Sequence, residues 1–135
     1  MFWNFGEVKL PQYSPVFCGF ITFICYLLTI CPTVYVEGSG ELIGATYLLG
    51  TPHPTGYPLY VLIARCLANF VPWGGPALQV NLATASIASI GVGLFVWILR
   101  DRGVNWIAAS GAALCFGFSA TYWGQATISE VYGLS

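Results

Sequence analysis

The hydrophobic positions of the chain form three long uncharged runs, at residues 16–36, 80–99 and 104–123. Each run reaches the roughly 20 residues that an α-helix needs to cross the hydrocarbon core of a bilayer. Each is apolar on all sides, as a helix surrounded by lipid is. The pattern predicts three transmembrane helices. Aromatic side chains lie near the ends of the later runs, where interfacial aromatics are expected: Trp97, Trp106, Tyr122 and Trp123.

A fourth apolar run, residues 59–71, contains Arg65 near its middle and is too short to span. As a helix it would be about 20 Å long, against a hydrocarbon core of roughly 30 Å. We predict a short juxtamembrane or re-entrant helix. The positive-inside rule then places the Arg100–Arg102 loop in the cytoplasm, with segments 37–58 and 124–135 on the outer side. If the run did span, that arginine loop would lie outside.

The composition agrees with an all-α polytopic membrane protein whose surroundings are membrane lipids. Of 135 residues, 4 are basic and 5 acidic, 57% are hydrophobic, and the mean hydropathy is +0.75. So few charges exclude an ordinary soluble domain and a disordered chain. A net charge of -1 offers no basic surface for phosphates and excludes a nucleic-acid partner. Five cysteines without a CxxC pair disfavour a disulfide framework and a zinc site.

Small residues recur on two of the predicted helices and predict close helix packing. Ala85, Ser89 and Gly93 repeat every four residues, and so do Ala113 and Gly117. Such faces let helix backbones approach closely in lipid.

Glu37 and Glu41 lie in the polar segment after the first predicted span. If Ser39 caps a short helix beginning at Gly40, Glu41 falls in its first turn, where the helix dipole favours an anion. Two neighbouring carboxylates can hold a divalent metal ion or act as a general base. The alternative is that they are solvated acids that only mark the start of a helix.

His53 stands between Pro52 and Pro54, followed by Tyr57. A residue before proline is restricted to extended conformations, so the histidine is held on a rigid segment. That suits a proton shuttle or a contact to a phosphate. The alternative is a rigid turn in which the histidine is incidental.

Gln125, Glu130 and Tyr132 follow the third predicted span. They emerge on the same side as Glu37, Glu41 and His53. Together these polar side chains predict the floor of a pocket. Arg65 can pair with a phosphate through its forked guanidinium, or simply extend its charge to the membrane surface.

Four motifs in one order resemble the DUF2723 family. They are S-G-E-L-I-x-A-x-Y-x-L-G-x-P-H-P-x-G-Y-P-L-Y at Ser39–Tyr60, the segment from Arg65, V-N-L at Val80–Leu82, and F-S-x-T-Y-W-x-Q-A-x-x-x-E-V-Y at Phe118–Tyr132. That family includes eukaryotic transmembrane O-mannosyltransferases that act on plexin-type receptors, and it belongs to the GT-C superfamily of membrane glycosyltransferases.

The resemblance implies transfer of a sugar from a polyprenyl-phosphate donor to an acceptor hydroxyl on the outer or lumenal face. In GT-C enzymes an acid in the first outer loop serves as the base, a place held here by Glu37 and Glu41. His53 and Arg65 would hold the donor phosphate, with Tyr57 near them, and Glu130 would be the acid of the second outer loop. The sequence identifies no definite cofactor, and a divalent metal ion is the one candidate.

Two departures qualify the resemblance. The family usually reads Asp-Ser-Gly-Glu where this chain has Gly38-Ser39-Gly40-Glu41, so either Glu37 or Glu41 is the base or activity is lost. The chain also has fewer spans than GT-C enzymes, which predicts an N-terminal piece, 1–135, that is inactive alone. The competing hypothesis is a small non-catalytic membrane protein that packs against partner helices. The wording of the motifs favours a bacterial inner membrane.

Overall fold

The computed structural model describes residues 10–36, 38–54 and 56–131. Within these ranges the chain is all-helical, as the sequence predicts, with six α-helices and no strand. A 3-10 turn at Leu10–Tyr13 leads into the first helix. The helices are α1 (Ser14–Thr29), α2 (Ser39–Leu48), α3 (Pro58–Ala68), α4 (Pro76–Asp101), α5 (Trp106–Gly117) and α6 (Ala120–Ala126).

Among the described residues, α4 alone is long and apolar enough to cross a membrane. Its 26 residues make a helix of about 39 Å at 1.5 Å per residue. The predicted three spans are thus corrected to one clear candidate. α1, α3 and α5 are apolar but have 16, 11 and 12 residues.

Local sequence explains why the other two runs give shorter helices. α1 stops at Thr29 because Ile30 is extended, with φ -62° and ψ 137°, and Pro32 follows two residues later. The run at 104–123 is divided because the Ser119 hydroxyl accepts the backbone N–H of Tyr122 and starts a new helix. A serine at such a position is a favoured N-cap.

α1, α4 and α5 form an antiparallel bundle. At one end, the Arg100 guanidinium at the end of α4 donates to the Ser14 hydroxyl at the start of α1, over 3.1 Å. At the other end, the Tyr26 hydroxyl of α1 donates to the Gly117 carbonyl that closes α5, over 2.7 Å. The loops after α1 and α6 therefore lie at the same end of the bundle.

The predicted small-residue faces lie inside this bundle. α1 crosses α4 where Gly19 meets Gly93, and a Cβ on Gly93 would lie 2.9 Å from the Pro15 carbonyl oxygen. Ala85 and Ala113 are fully buried. These faces make contacts between helices of this chain.

α2 and α3 pack against the first half of α4 and bury one shared cluster. The cluster consists of Leu42, Ile43, Tyr60, Val61, Ala64, Val80, Ala83 and Ile87. Because α4 begins at the end of the bundle where α1 finishes, this cluster supports the segments that carry the candidate site. The position of α3 along a membrane surface stays a prediction.

Candidate functional site

The turn before α2 fixes the position of Glu41. Gly38 is the N-cap of α2 with φ 90°, a left-handed conformation that glycine adopts at little cost. The Ser39 hydroxyl accepts the Tyr35 N–H (2.8 Å) and donates to the Tyr35 carbonyl (2.6 Å). Ser39 therefore closes the preceding turn and is not the N-cap that the sequence predicted. Glu41 still falls in the first turn of the helix.

Glu41 binds His53 through both of its carboxylate oxygens. Oε1 accepts the backbone N–H of His53 at 2.6 Å, and Oε2 lies 2.8 Å from Nδ1 of its ring. These two hydrogen bonds hold the pKa of Glu41 below its ordinary value of 4.5. Because an ionised carboxylate only accepts, Nδ1 carries the proton. Both side chains are about half exposed.

Two left-handed residues bracket the segment that carries His53. Leu49 closes α2 with φ 51°, and Tyr57 precedes α3 with φ 40°. Residues other than glycine rarely adopt this backbone conformation, which costs roughly 1–3 kcal/mol at each such residue. The surrounding contacts must therefore hold Leu49 and Tyr57 in it. The Tyr57 ring meets the His53 ring edge-on, with centroids 5.7 Å apart. The Gly56 N–H donates to the His53 carbonyl at 2.8 Å.

Arg65 lies on α3 with its guanidinium 4.7 Å from the centre of the Tyr47 ring. Among the described residues, no carboxylate lies within 4.0 Å of that guanidinium. Tyr47 and Tyr57 pack on the same buried cluster, as does Val131 beside Glu130. A residue in contact with Arg65 (Tyr47), one in contact with His53 (Tyr57) and the residue after Glu130 (Val131) therefore all pack on one cluster.

Glu130 and Gln125 differ from Glu41 and His53 in their surroundings. Glu130 is buried, and its charge lies close enough to act on the hydroxyl of Tyr60. Burial raises the pKa of Tyr60 to about 12, and the Tyr60 hydroxyl lies 2.8 Å from the Thr84 hydroxyl. The buried side-chain oxygen of Gln125 has no hydrogen-bond partner among the described residues.

Glu37 and Tyr132, two predicted site residues, lie outside the described residues. Within the described part of the chain, no three His, Cys, Asp or Glu side chains are grouped as metal ligands.

Sequence reasoning missed the buried polar side chains of α4. Asn81 and Thr84 are each about 1% exposed. Their spacing of three places both on one face of the helix. The signal available in the sequence was the pair of polar residues at this spacing near the start of the apolar run at 80–99.

The family model for the "Protein O-mannosyl-transferase TMEM260 N-terminal domain" matches residues 38–135, which is most of the chain. The chain belongs to this family. The matched residues include Glu41, His53, Arg65 and Glu130. The match therefore supports the O-mannosyltransferase relationship seen in the motifs, under the TMEM260 name rather than the name DUF2723.

Two curated relatives are named as protein O-mannosyl-transferases. The mouse protein O-mannosyl-transferase TMEM260 is 34% identical over 113 residues, covering 82% of this chain. Its counterpart in Dictyostelium discoideum is 27% identical over 135 residues, covering 94% of the chain. The chain spans 16% of each relative's length. No solved structure matches it. Both relatives are eukaryotic and lend no support to the predicted bacterial membrane.

Proposed function

We propose that this chain is the N-terminal part of a membrane mannosyltransferase. The complete enzyme would move mannose from a polyprenyl-phosphate-linked donor to a hydroxyl group of a protein, on the outer or lumenal face. The family match and the mannosyltransferase names of the relatives support this reaction class. The competing hypothesis is a non-catalytic protein that packs against partner helices. Contacts between helices of this chain already account for the small-residue faces on which that hypothesis relies.

The observation that carries the proposal is the double contact of Glu41 with His53. Glu41 has both oxygens occupied, and its lowered pKa makes it a poorer base. With the proton on Nδ1, the Nε2 atom of His53 is left to accept a proton. In this assignment Glu41 fixes the tautomer and orientation of the ring, and His53 is the base.

The proposed step is an inverting displacement. The acceptor oxygen forms a bond to the anomeric carbon of mannose while the bond from that carbon to the phosphate oxygen breaks. The acceptor proton passes to Nε2 of His53, and the bond electrons leave with the lipid phosphate. Glu41 stabilises the positive charge that develops on the imidazole ring.

Arg65 suits the donor phosphate. Its guanidinium faces the Tyr47 ring and has no carboxylate partner among the described residues, so its hydrogen-bonding edge is not committed to an ion pair. The planar fork of arginine matches two phosphate oxygens. Glu130 would be the acid that the second outer loop, residues 124–135, adds to the same site, close to Tyr60.

The test is mannosyl transfer by the full-length protein in liposomes, from a polyprenyl-phosphate mannose donor to a protein acceptor. His53→Ala is expected to lower kcat about 100-fold or more, the usual contribution of a general base. Glu41→Gln is also expected to lower kcat, because its single amide oxygen cannot accept both hydrogen bonds from His53. The neutral amide also cannot stabilise the positive charge that develops on the imidazole ring. The matched control is Asp101→Asn, which removes an exposed acid at the opposite end of the bundle and leaves transfer unchanged.

Glu37 is tested in the same assay, since the sequence offered it as the alternative base. Near-normal transfer by Glu37→Gln is the expected result. Loss of transfer in Glu37→Gln together with normal transfer in His53→Ala would move the base to Glu37 and contradict the assignment. Absence of transfer by the wild-type protein with any mannosyl donor would contradict the proposed function itself.

A further inference from the structure

Asn81 places an amide in the second turn of α4, fully buried at 1% exposure. A buried amide costs free energy unless its donors and acceptor are paired. Its partners all come from outside α4, so the side chain connects elements rather than capping its own helix.

Two segments meet at this side chain. The Asn81 Nδ2 donates to the carbonyls of Cys31 (2.7 Å) and Thr33 (3.3 Å), both just after α1. The Ser129 hydroxyl, just after α6, donates to Asn81 Oδ1. A backbone hydrogen bond from the Cys31 N–H to the Thr127 carbonyl, 3.0 Å, joins the same two segments directly. We call this set of contacts the Asn81 clamp; its residues are Cys31, Thr33, Asn81, Thr127 and Ser129.

Each clamped segment leads to a candidate site residue. The segment after α1 continues into α2, where the turn closed by Ser39 presents Glu41. Ser129 immediately precedes Glu130 in the chain and is itself fully buried. One turn beyond Asn81 on α4, Thr84 contacts the Tyr60 hydroxyl of α3, near Glu130.

We propose that Asn81 and Ser129 are positioning residues, which place Glu130 by holding its segment against the segment after α1. The inference rests on the proposed function, because it assigns the clamp a role in the same transfer reaction. Reacting groups must be held within about 1 Å, and a misplacement of that size can lower a rate about 100-fold. Neither residue contacts the substrate in this assignment; both act through Glu130.

The informative variant is Ser129→Ala. It removes the Ser129 hydrogen bond to Asn81 and the contact of the same hydroxyl with Tyr60. It leaves the Cys31 and Thr33 contacts of Asn81 in place. Asn81→Ala would leave two carbonyls and a hydroxyl unpaired and threatens folding. The matched control is Ser89→Ala, another buried serine, whose hydroxyl donates only to the Ser86 carbonyl of its own helix.

The first readout is transfer kinetics of the full-length protein in liposomes. Ser129→Ala is expected to lower kcat about tenfold with little change in the KM for the donor, within the range that misplacement produces. Ser129→Thr, which keeps the hydroxyl, is expected to restore most of the rate, and Ser89→Ala to leave it unchanged. In a Glu130→Gln background, Ser129→Ala is expected to have no further effect. An equal fall in that background, or normal kcat in Ser129→Ala, would overturn the proposal.

The second readout does not depend on activity. Amide hydrogen exchange in segment 30–36 is expected to speed up in Ser129→Ala and to stay unchanged in Ser89→Ala, although both substitutions lie far away in sequence. Unchanged exchange in Ser129→Ala would overturn the clamp even if the enzyme transferred mannose normally. A wild-type protein without transfer activity would contradict the proposed function, whereas this exchange result would still test the clamp.

Discussion

The contact between Glu41 and His53 joins residues 12 positions apart, across a helix and a proline-rich loop. Its strength depends on one charge, since both bonds are accepted by the ionised carboxylate. Charge-assisted hydrogen bonds of this kind are shorter and stronger than neutral ones. The single contact holds the loop of His53 to the start of α2, which makes the loop sensitive to the ionisation of Glu41.

This sensitivity predicts a pH dependence with a definite sign. The folded-state pKa of Glu41 lies below 4.5, so its stabilising contribution is fully present above about pH 4.5 and is lost as the pH falls through the lower folded value. Thermal unfolding of the wild type and of Glu41→Gln is measured from pH 6 to pH 3. The wild type should melt at the higher temperature at pH 6, and the difference should shrink as the pH falls towards 3.

Asp101→Asn, which alters an exposed acid at the other end of the bundle, serves as the control across the same pH range. A difference between the wild type and Glu41→Gln that is constant from pH 6 to pH 3 would show that the carboxylate charge does not hold the loop.

At the scale of elements, α4 is the helix on which the rest of the chain is assembled. It packs against α1 and α5 through small residues and against α2 and α3 through the shared cluster. The two helices approach closely at Gly19 and Gly93, where the backbones of α1 and α4 leave no room for a side chain. Close contact at glycine is a common way for helices to gain packing in lipid.

Alanine substitutions at two helical glycines should therefore have opposite effects. In Gly93→Ala the new Cβ meets the Pro15 carbonyl oxygen at 2.9 Å, which is backbone and cannot rotate away. We expect a loss of stability of about 1–3 kcal/mol, as for other overpacked interiors. Gly111→Ala has nothing within 4 Å and should be neutral or stabilising, by up to about 1 kcal/mol.

Both glycine variants are compared by thermal unfolding in detergent micelles. Equal melting temperatures for Gly93→Ala and Gly111→Ala would contradict the close crossing of α1 and α4.

At the scale of the whole molecule, the polar chemistry is divided between the two ends of the bundle. Arg100, Asp101 and Arg102 mark the end where α4 meets the start of α1. The Glu41–His53 pair and the Asn81 clamp belong to the loops at the other end. If α4 crosses a membrane, these two ends lie on opposite sides of it, with the arginines in the cytoplasm by the positive-inside rule.

Cysteine labelling of the full-length protein tests this arrangement. In a background without the native cysteines, Thr51→Cys and Arg102→Cys are exposed single sites at the two ends. A membrane-impermeant maleimide added outside sealed vesicles of known orientation is expected to label Thr51→Cys only from the outer or lumenal side. Arg102→Cys should react only from the cytoplasmic side.

Permeabilised vesicles, in which both sites should react, provide the control for the labelling experiment. Labelling of both positions from the same side of sealed vesicles would contradict the crossing by α4.

The sequence by itself determined the helical class, the long apolar helix near residues 80–99, and the segments that carry Glu41, His53 and Arg65. These follow from local composition and periodicity, which depend on residues close together in the chain. Only the tertiary structure decided that Ser39 closes a turn, that Glu41 pairs with His53, and that Asn81 joins two distant segments. Such contacts depend on which helices cross and where the chain bends, and a hydrophobic pattern carries no information about either.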